Sequence, residues 1–163
     1  MENMPKVSVI IPIYNAAEFL GECLDSVLAQ TLTDIEVICV NDGSPDNSLE
    51  ILREYEKKDS RIKIIDQKNQ GAGAARNHGM SVARGEYLSF LDSDDFFDKD
   101  MLKDAYEAAH ACEADVCVFD ADLFNHTTKT FRKCTWAFRR QFFPDRNPFS
   151  PLDEDVRENI FRM

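Results

Sequence analysis

Apolar positions along the chain follow two alternating rhythms, short solid runs and longer stretches in which they recur every three or four residues. Val7-Ser-Val-Ile-Ile-Pro-Ile13 is rich in β-branched residues and predicts a first, buried strand. Phe19, Leu20, Cys23, Leu24, Val27 and Leu28 fall at helical spacing and predict an amphipathic helix from about Ala17 to Gln30. Ile35 to Val40 is the second strand. A second helix, capped by Asp46 or Asn47, carries Leu49, Leu52 and Tyr55 inward and Glu50, Arg53, Glu54 and Lys57 outward. Arg61 to Ile65 is the third strand, Ala72 to Ala83 an Ala-rich third helix, and Glu86 to Leu91 the fourth strand, with Leu88, Ser89, Phe90 and Leu91 expected to be buried. Asp98 opens a fourth helix running to about Ala114, and Asp115 to Phe119 reads as a fifth strand. This alternation predicts an α/β fold, a mostly parallel sheet with helices on both faces. After Asp120 the rhythm breaks. Thr127 to Thr135 reads as an edge strand, the proline-rich stretch Phe143 to Pro151 as irregular, and Glu154 to Met163 as helical.

Composition narrows the classes without choosing one. A chain of 163 residues, 44% hydrophobic and 30% charged, suits one globular domain. Its net charge of −11 argues against nucleic acid as a partner, which would call for a basic face. The apolar run Val7 to Ile13 is too short to span a bilayer, and the residues before it lack a signal peptide's basic start and cleavage site. A cytoplasmic protein, or the soluble part of one, is the expectation. The five cysteines form no Cys-x-x-Cys pair, so neither a disulfide framework nor a zinc site is expected. His78, His110 and His126 show no ligand spacing.

Candidate chemistry gathers where strands end, which in open α/β sheets is where ligands bind. Tyr87-Leu-Ser-Phe-Leu-Asp-Ser-Asp-Asp95 closes an apolar run with Asp92, Asp94 and Asp95. Three carboxylates there are costly unless a cation or hydrogen-bond donors receive them. Asp-x-Asp suits a hard divalent ion completed by phosphate oxygens, and equally a solvated turn leading to a helix. The first strand ends in Pro12-Ile-Tyr14-Asn15. Pro12 marks a strand end or bulge, and Tyr14 offers a ring for a base or sugar, or for plain core packing. The second ends in Asn41-Asp42-Gly43-Ser44, where Asp42 reads a ligand N–H or hydroxyl, or else the amides of its own turn. At Asn69-Gln-Gly-Ala-Gly-Ala-Ala-Arg-Asn77, Gly71-x-Gly73 follows a strand as in dinucleotide sites, but Arg76 occupies the third glycine position. Arg76 presents a fixed positive fork to a phosphate or to an acid such as Asp42, and the small residues let a helix N-terminus approach an anion.

In order and spacing, Pro12-x-Tyr14-Asn15, Asn41-Asp-Gly-Ser44, Asn69-x-Gly71 with Arg76-Asn77, and Phe90-Leu-Asp-Ser-Asp-Asp95 resemble the inverting family 2 glycosyltransferases of GT-A fold, across roughly residues 5 to 121. The resemblance implies a nucleotide-sugar donor, usually UDP-linked, and a glycan or lipid-linked acceptor. Pro12, Tyr14 and Asp42 would flank the uridine, with Asn15 alongside and Arg76 near the base or diphosphate. Asp92, Asp94 and Asp95 would hold ribose and a Mg²⁺ or Mn²⁺ ion, with Asp94 or Asp95 on the metal. Residues 1–121 would form the nucleotide-sugar-binding core and 122–163 the start of an acceptor-side region, incomplete at the C-terminus. The general base is expected beyond Met163, since Glu154 and Asp155 suit a helix N-terminus better. Alternatives are a donor-binding or assembly fragment without turnover, and an NAD-dependent oxidoreductase. The family also places such a protein at a cell envelope or its polysaccharide synthesis.

One segment runs against the acidic background. Phe131 to Arg146 holds Arg132, Lys133, Arg139, Arg140 and Arg146 among Trp136, Phe138, Phe142 and Phe143. It suits a homodimer contact or cover by a further part of the chain, and after those a peripheral contact at the inner face of the membrane.

Overall fold

β1, Val7–Ile13, is buried at every position and lies inside its sheet. This computed structural model describes residues 4–119 and 121–133. β1 is followed by α1 (Leu20–Leu28), β2 (Ile35–Asp42), α2 (Ser48–Lys58), β3 (Ile62–Gln67), α3 (Ala72–Val82), β4 (Tyr87–Phe90) and α4 (Met101–Ala111). The four strands are parallel in the order β3-β2-β1-β4, with Val7 opposite both Ile35 and Tyr87. The expected mostly parallel α/β sheet is therefore present.

Alternation along β1 sorts the core into two layers. Val7, Val9, Ile11 and Ile13 pack with Leu20, Leu24 and Val27 of α1, Leu52 of α2 and Leu102 at the start of α4. Ile10 faces the other way, with Ile38, Val40 and Ala75 of α3. Helix α3 comes close there because residue 79 is glycine. A Cβ on it would lie 2.5 Å from Ile10 Cγ2.

At the end of the sheet where the strands begin, Glu36 is a buried charge with every partner in place. Its carboxylate accepts from Ser8 Oγ at 2.6 Å, from the Arg84 N–H at 2.6 Å and from Lys63 Nζ at 2.6 Å. Burial alone would push this carboxyl up, but Lys63, Ser8 and the Arg84 amide outweigh it and hold it below its ordinary range.

Two expectations need correction. Leu88 and Phe90 are not buried but 45% and 44% exposed; among the described residues β4 pairs with β1 alone and so lies at the sheet edge. Residues 115–119 form no strand; Val116 is 68% exposed, and β-branched residues do not hold a strand without a neighbour to pair with. The edge strand expected over Thr127 to Thr135 is found as β6 (Thr130–Lys133), which pairs in a hairpin with β5 (Asp122–Asn125). Asn125 makes the turn: its Oδ1 accepts the amides of Thr127 and Thr128, and Lys129 takes a positive φ of 55°.

Residues through Glu107 form one compact unit, and the described residues from Ala108 onward belong to a second. Most of the basic aromatic stretch Phe131 to Arg146, the proline-rich stretch and the expected terminal helix lie outside the described residues. Among the described residues, no helix is long and apolar enough to cross a membrane.

Candidate functional site

From β1 the chain steps outward through β2 to β3, then returns across the sheet to lay β4 on the other side of β1. That reversal leaves a gap beyond the carboxyl ends of β1 and β4, the topological switch point at which such sheets bind ligands. A crevice of about 210 Å³ opens there. Pro12, Tyr14, Asp42, Arg76, Asp92 and Asp94 line it, joined by Ile13, Ala72 and Ser93, which sequence reasoning did not single out.

Pro12 stays within a central strand for a local reason. The Leu91 N–H donates to the Ile10 carbonyl at 3.1 Å, so the even-numbered backbone groups of β1 face β4. Pairing with β4 ends at Ile10–Phe90, so the missing N–H of Pro12 points past the last rung and breaks no ladder bond. Tyr14, just beyond β1, is 54% exposed rather than packed in the core. Asn15 does not line the crevice. It takes a positive φ of 53°, and its amide donates to Ser44 Oγ at 3.2 Å, tying the loop after β1 to the loop after β2.

Asp42 closes β2 and is only 2% exposed. Its Oδ1 accepts from Gln67 Nε2 at 2.7 Å and from the Gln70 amide at 2.9 Å, and its Oδ2 from the Gly71 amide at 2.8 Å. Burial pushes this carboxyl up, but the bonds from Gln67, Gln70 and Gly71 outweigh it and keep it below its ordinary value. The amides Asp42 satisfies are thus those leading into α3, not those of its own turn. The residues just before α3 receive the protein's own carboxylate, while Ala72, the first residue of the helix, lines the crevice. Gln67 went unnoticed in the sequence, although the register that sets Asp42 opposite Gln67 makes it the natural partner.

Arg76, one turn into α3, forms an ion pair with Asp92, not with Asp42. Both partners are partly exposed, so the pair can be exchanged for a ligand at little cost. The same side chain sits where a dinucleotide fingerprint would need its third glycine.

The acidic turn follows β4. Asp95 N–H donates to the Asp92 carbonyl at 3.0 Å, which folds residues 92–95 back on themselves. Asp94 faces the crevice, whereas Asp95 is not among its lining residues. The Asp95 carboxyl is pushed above its ordinary range by burial, then by the charges of Asp94 and Asp92. The Cys23 thiol on α1 is pushed up to about 12 by burial, then by Asp95, Asp94 and Asp92. Negative charge is therefore concentrated at this turn, with Arg76 beside Asp92 as a counter-charge. Among the described residues no group of three or more His, Cys, Asp or Glu is arranged to hold a metal. One or two carboxylates without a protein cage is the donor set that suits Mg²⁺ or Mn²⁺ sharing a diphosphate.

Comparison with known proteins points to one family. The chain is 48% identical over 113 residues to the uncharacterized glycosyltransferase EpsJ of Bacillus subtilis, covering 69% of this chain and 33% of EpsJ. Among solved structures it resembles residues 1–349 of Staphylococcus aureus TarS in complex with UDP, with a TM-score of 0.61, 36% identity, and coverage of 65% of this chain and 32% of that one. It also resembles the mannosyltransferase PcManGT of Pyrobaculum calidifontis in complex with GDP-Man and Mn²⁺, with a TM-score of 0.59, 26% identity, and coverage of 64% and 32%. The chain thus spans about a third of the length of these relatives. These likenesses do not favour the oxidoreductase alternative. The profile of the family described as "Glycosyl transferase family 2" matches residues 8–161, and the chain belongs to that family.

Proposed function

We propose that this chain carries the donor site of an inverting glycosyltransferase that moves a sugar from a nucleotide diphosphate, UDP in the first instance, to a glycan or lipid-linked acceptor. The observation that carries the reading is the meeting of Tyr14, Asp42, Arg76, Asp92 and Asp94 in one crevice at the switch point of the sheet. The nucleotides bound by TarS and PcManGT support the donor class.

In this reading the exposed Tyr14 ring stacks on the base, and Pro12 gives the base a rigid apolar wall. Asp42, already held by three donors, meets the base edge without having to be ordered on binding. Arg76 exchanges Asp92 for an oxygen of the diphosphate or base, and Asp92, released, accepts from ribose hydroxyls. Asp94, helped by Asp95, holds the divalent cation, Mg²⁺ or Mn²⁺, which supplies Lewis-acid stabilisation to the departing diphosphate. The acceptor hydroxyl attacks the sugar's anomeric carbon from the face opposite the phosphate, and that geometry inverts the centre. A base must take the hydroxyl proton; none of the crevice residues is assigned to it. Asn15 shapes the loop rather than touching the donor. A glycan-building role at the cytoplasmic side of an envelope follows the same family reading.

Calorimetric titration of UDP with and without Mn²⁺, with NADH as control, tests the proposal. Metal-dependent UDP binding with no heat from NADH is the expected result. Silence toward UDP under both conditions would overturn the donor-site assignment.

A further inference from the structure

We infer that Gln30 is a positioning residue for the acidic turn, setting where Asp94 and Asp95 stand although it touches neither the crevice nor any ligand. The inference rests on the donor-site reading above. Residues 91–100, between β4 and α4, contain no helix or strand, so no backbone ladder fixes their path. Past the Leu91 amide, which β1 holds, their anchors come from α1 and the turn after it, where the Thr31 amide also donates to the Lys99 carbonyl at 3.0 Å. Cys23 Sγ lies 3.7 Å from the Asp92 carbonyl, at the start of the turn. Ser26 Oγ donates to the Cys23 carbonyl at 2.7 Å and accepts the Phe97 amide at 3.1 Å, just past the turn.

Gln30 completes the clamp. Its Nε2 donates to the Ser26 carbonyl at 3.1 Å and to the Asp98 carbonyl at 2.6 Å, while its Oε1 accepts the Leu102 amide at 2.9 Å. At 3% exposure it is a buried primary amide that uses both N–H groups and its carbonyl, two of those three bonds on the segment leaving the acidic turn. No other residue type reproduces this set. Glutamate would set an oxygen against two carbonyls, and leucine would strip the Leu102 amide and the Ser26 carbonyl of this partner and leave the Asp98 carbonyl only the Met101 amide. Three carboxylates within four residues repel one another, so a segment this charged holds one conformation only where both of its ends are tied. Gln30 ties the far end.

The test uses the full chain, parental, Gln30→Leu and Gln30→Asn, the last keeping an amide one methylene too short. Amide hydrogen exchange by NMR reads the turn without any ligand, and UDP titration at stepped Mn²⁺ concentrations reads its consequence. Exchange at the Asp95 and Phe97 amides, neither bonded to Gln30, should quicken at least about tenfold, with the β1 and β2 amides unmoved. The Mn²⁺ concentration for half-maximal UDP binding should rise by about tenfold to a hundredfold, as for other groups that orient metal-bound carboxylates. Gln30→Asn should fall between parental and Gln30→Leu. Unchanged exchange at Asp95 and Phe97 in both folded variants overturns the inference, and so does faster exchange with the Mn²⁺ requirement unmoved. A parental chain that binds no UDP in Mn²⁺ overturns the donor-site reading instead, and the exchange data then still decide whether Gln30 fixes the turn.

Discussion

Replacing Asp42 by asparagine separates what its charge does from what its shape does. The side chain is 2% exposed and receives three hydrogen bonds, two on Oδ1 and one on Oδ2. In Asp42→Asn the carbonyl oxygen can keep Gln67 and Gln70, but an NH₂ group then faces the Gly71 amide. One buried donor is left without an acceptor, at about 1–3 kcal/mol, and two charge-assisted bonds become neutral ones. Taken together, a loss of about 2–3 kcal/mol at neutral pH is expected. Urea unfolding of both proteins from pH 7 to pH 3 is the assay. The folded-state carboxyl of Asp42 lies below its unfolded value of about 3.9, so its contribution is present above that value and fades as pH falls through the folded one. The stability gap between parental and variant should therefore be widest at neutral pH and narrow below about pH 4. A loss under about 0.5 kcal/mol at pH 7, or a gap that stays constant to pH 3, would refute the claim that this buried carboxylate organises the start of α3.

Three shorter predictions address the rest of the site. Arg76→Ala should cost less than about 1 kcal/mol in urea unfolding, because its ion pair with Asp92 is half exposed, yet should weaken UDP binding severalfold by calorimetry. Asp94→Ala should lower UDP affinity in Mn²⁺ while leaving metal-free affinity and the circular dichroism spectrum alone; an unchanged Mn²⁺ requirement would remove Asp94 from the metal. Gly43→Ala should destabilise by about 1 kcal/mol or more in thermal melts, since residue 43 has a φ of +67° and a Cβ there would lie 2.9 Å from the Asn69 nitrogen.

The alternation of the first ninety residues was legible because strand and helix periods differ and each segment keeps one of them. Ile35–Asp42 and Leu20–Leu28 stand within a few residues of where periodicity alone puts them. Whether an apolar strand is covered is not a local property, and so Leu88 and Phe90 were misread. Nothing in Tyr87-Leu-Ser-Phe90 says that, among the described residues, β4 has a neighbour on one side alone. Val116 and Val118 illustrate the same limit, since strand propensity does not supply a partner. The crevice residues were legible because strand ends are marked by abrupt polarity. Gln67, Gln30 and the choice of Asp92 by Arg76 were not, since each depends on register or on a contact between segments far apart in sequence. Gln30 lay at the C-terminal boundary of a helix, where a polar residue looks like ordinary solvent-facing sequence.

The strand order β3-β2-β1-β4 also sets a timetable for synthesis. Of the four strands of this sheet β1 is made first and can pair with β2 once Asp42 has emerged, but its second edge waits for Tyr87, about eighty residues after Val7. At translation rates of about 5–20 residues per second, that edge stays unpaired for roughly 4–16 s from its own emergence. Through that interval the most apolar strand of the chain carries an open row of amides and carbonyls, the usual template for pairing with another chain. The residues that end the exposure, at β4 and Leu91, directly precede the acidic turn. Pairing of that edge and the placing of Asp92 and Asp94 at the crevice thus belong to the same stage of synthesis, since both wait for β4 and the residues just after it.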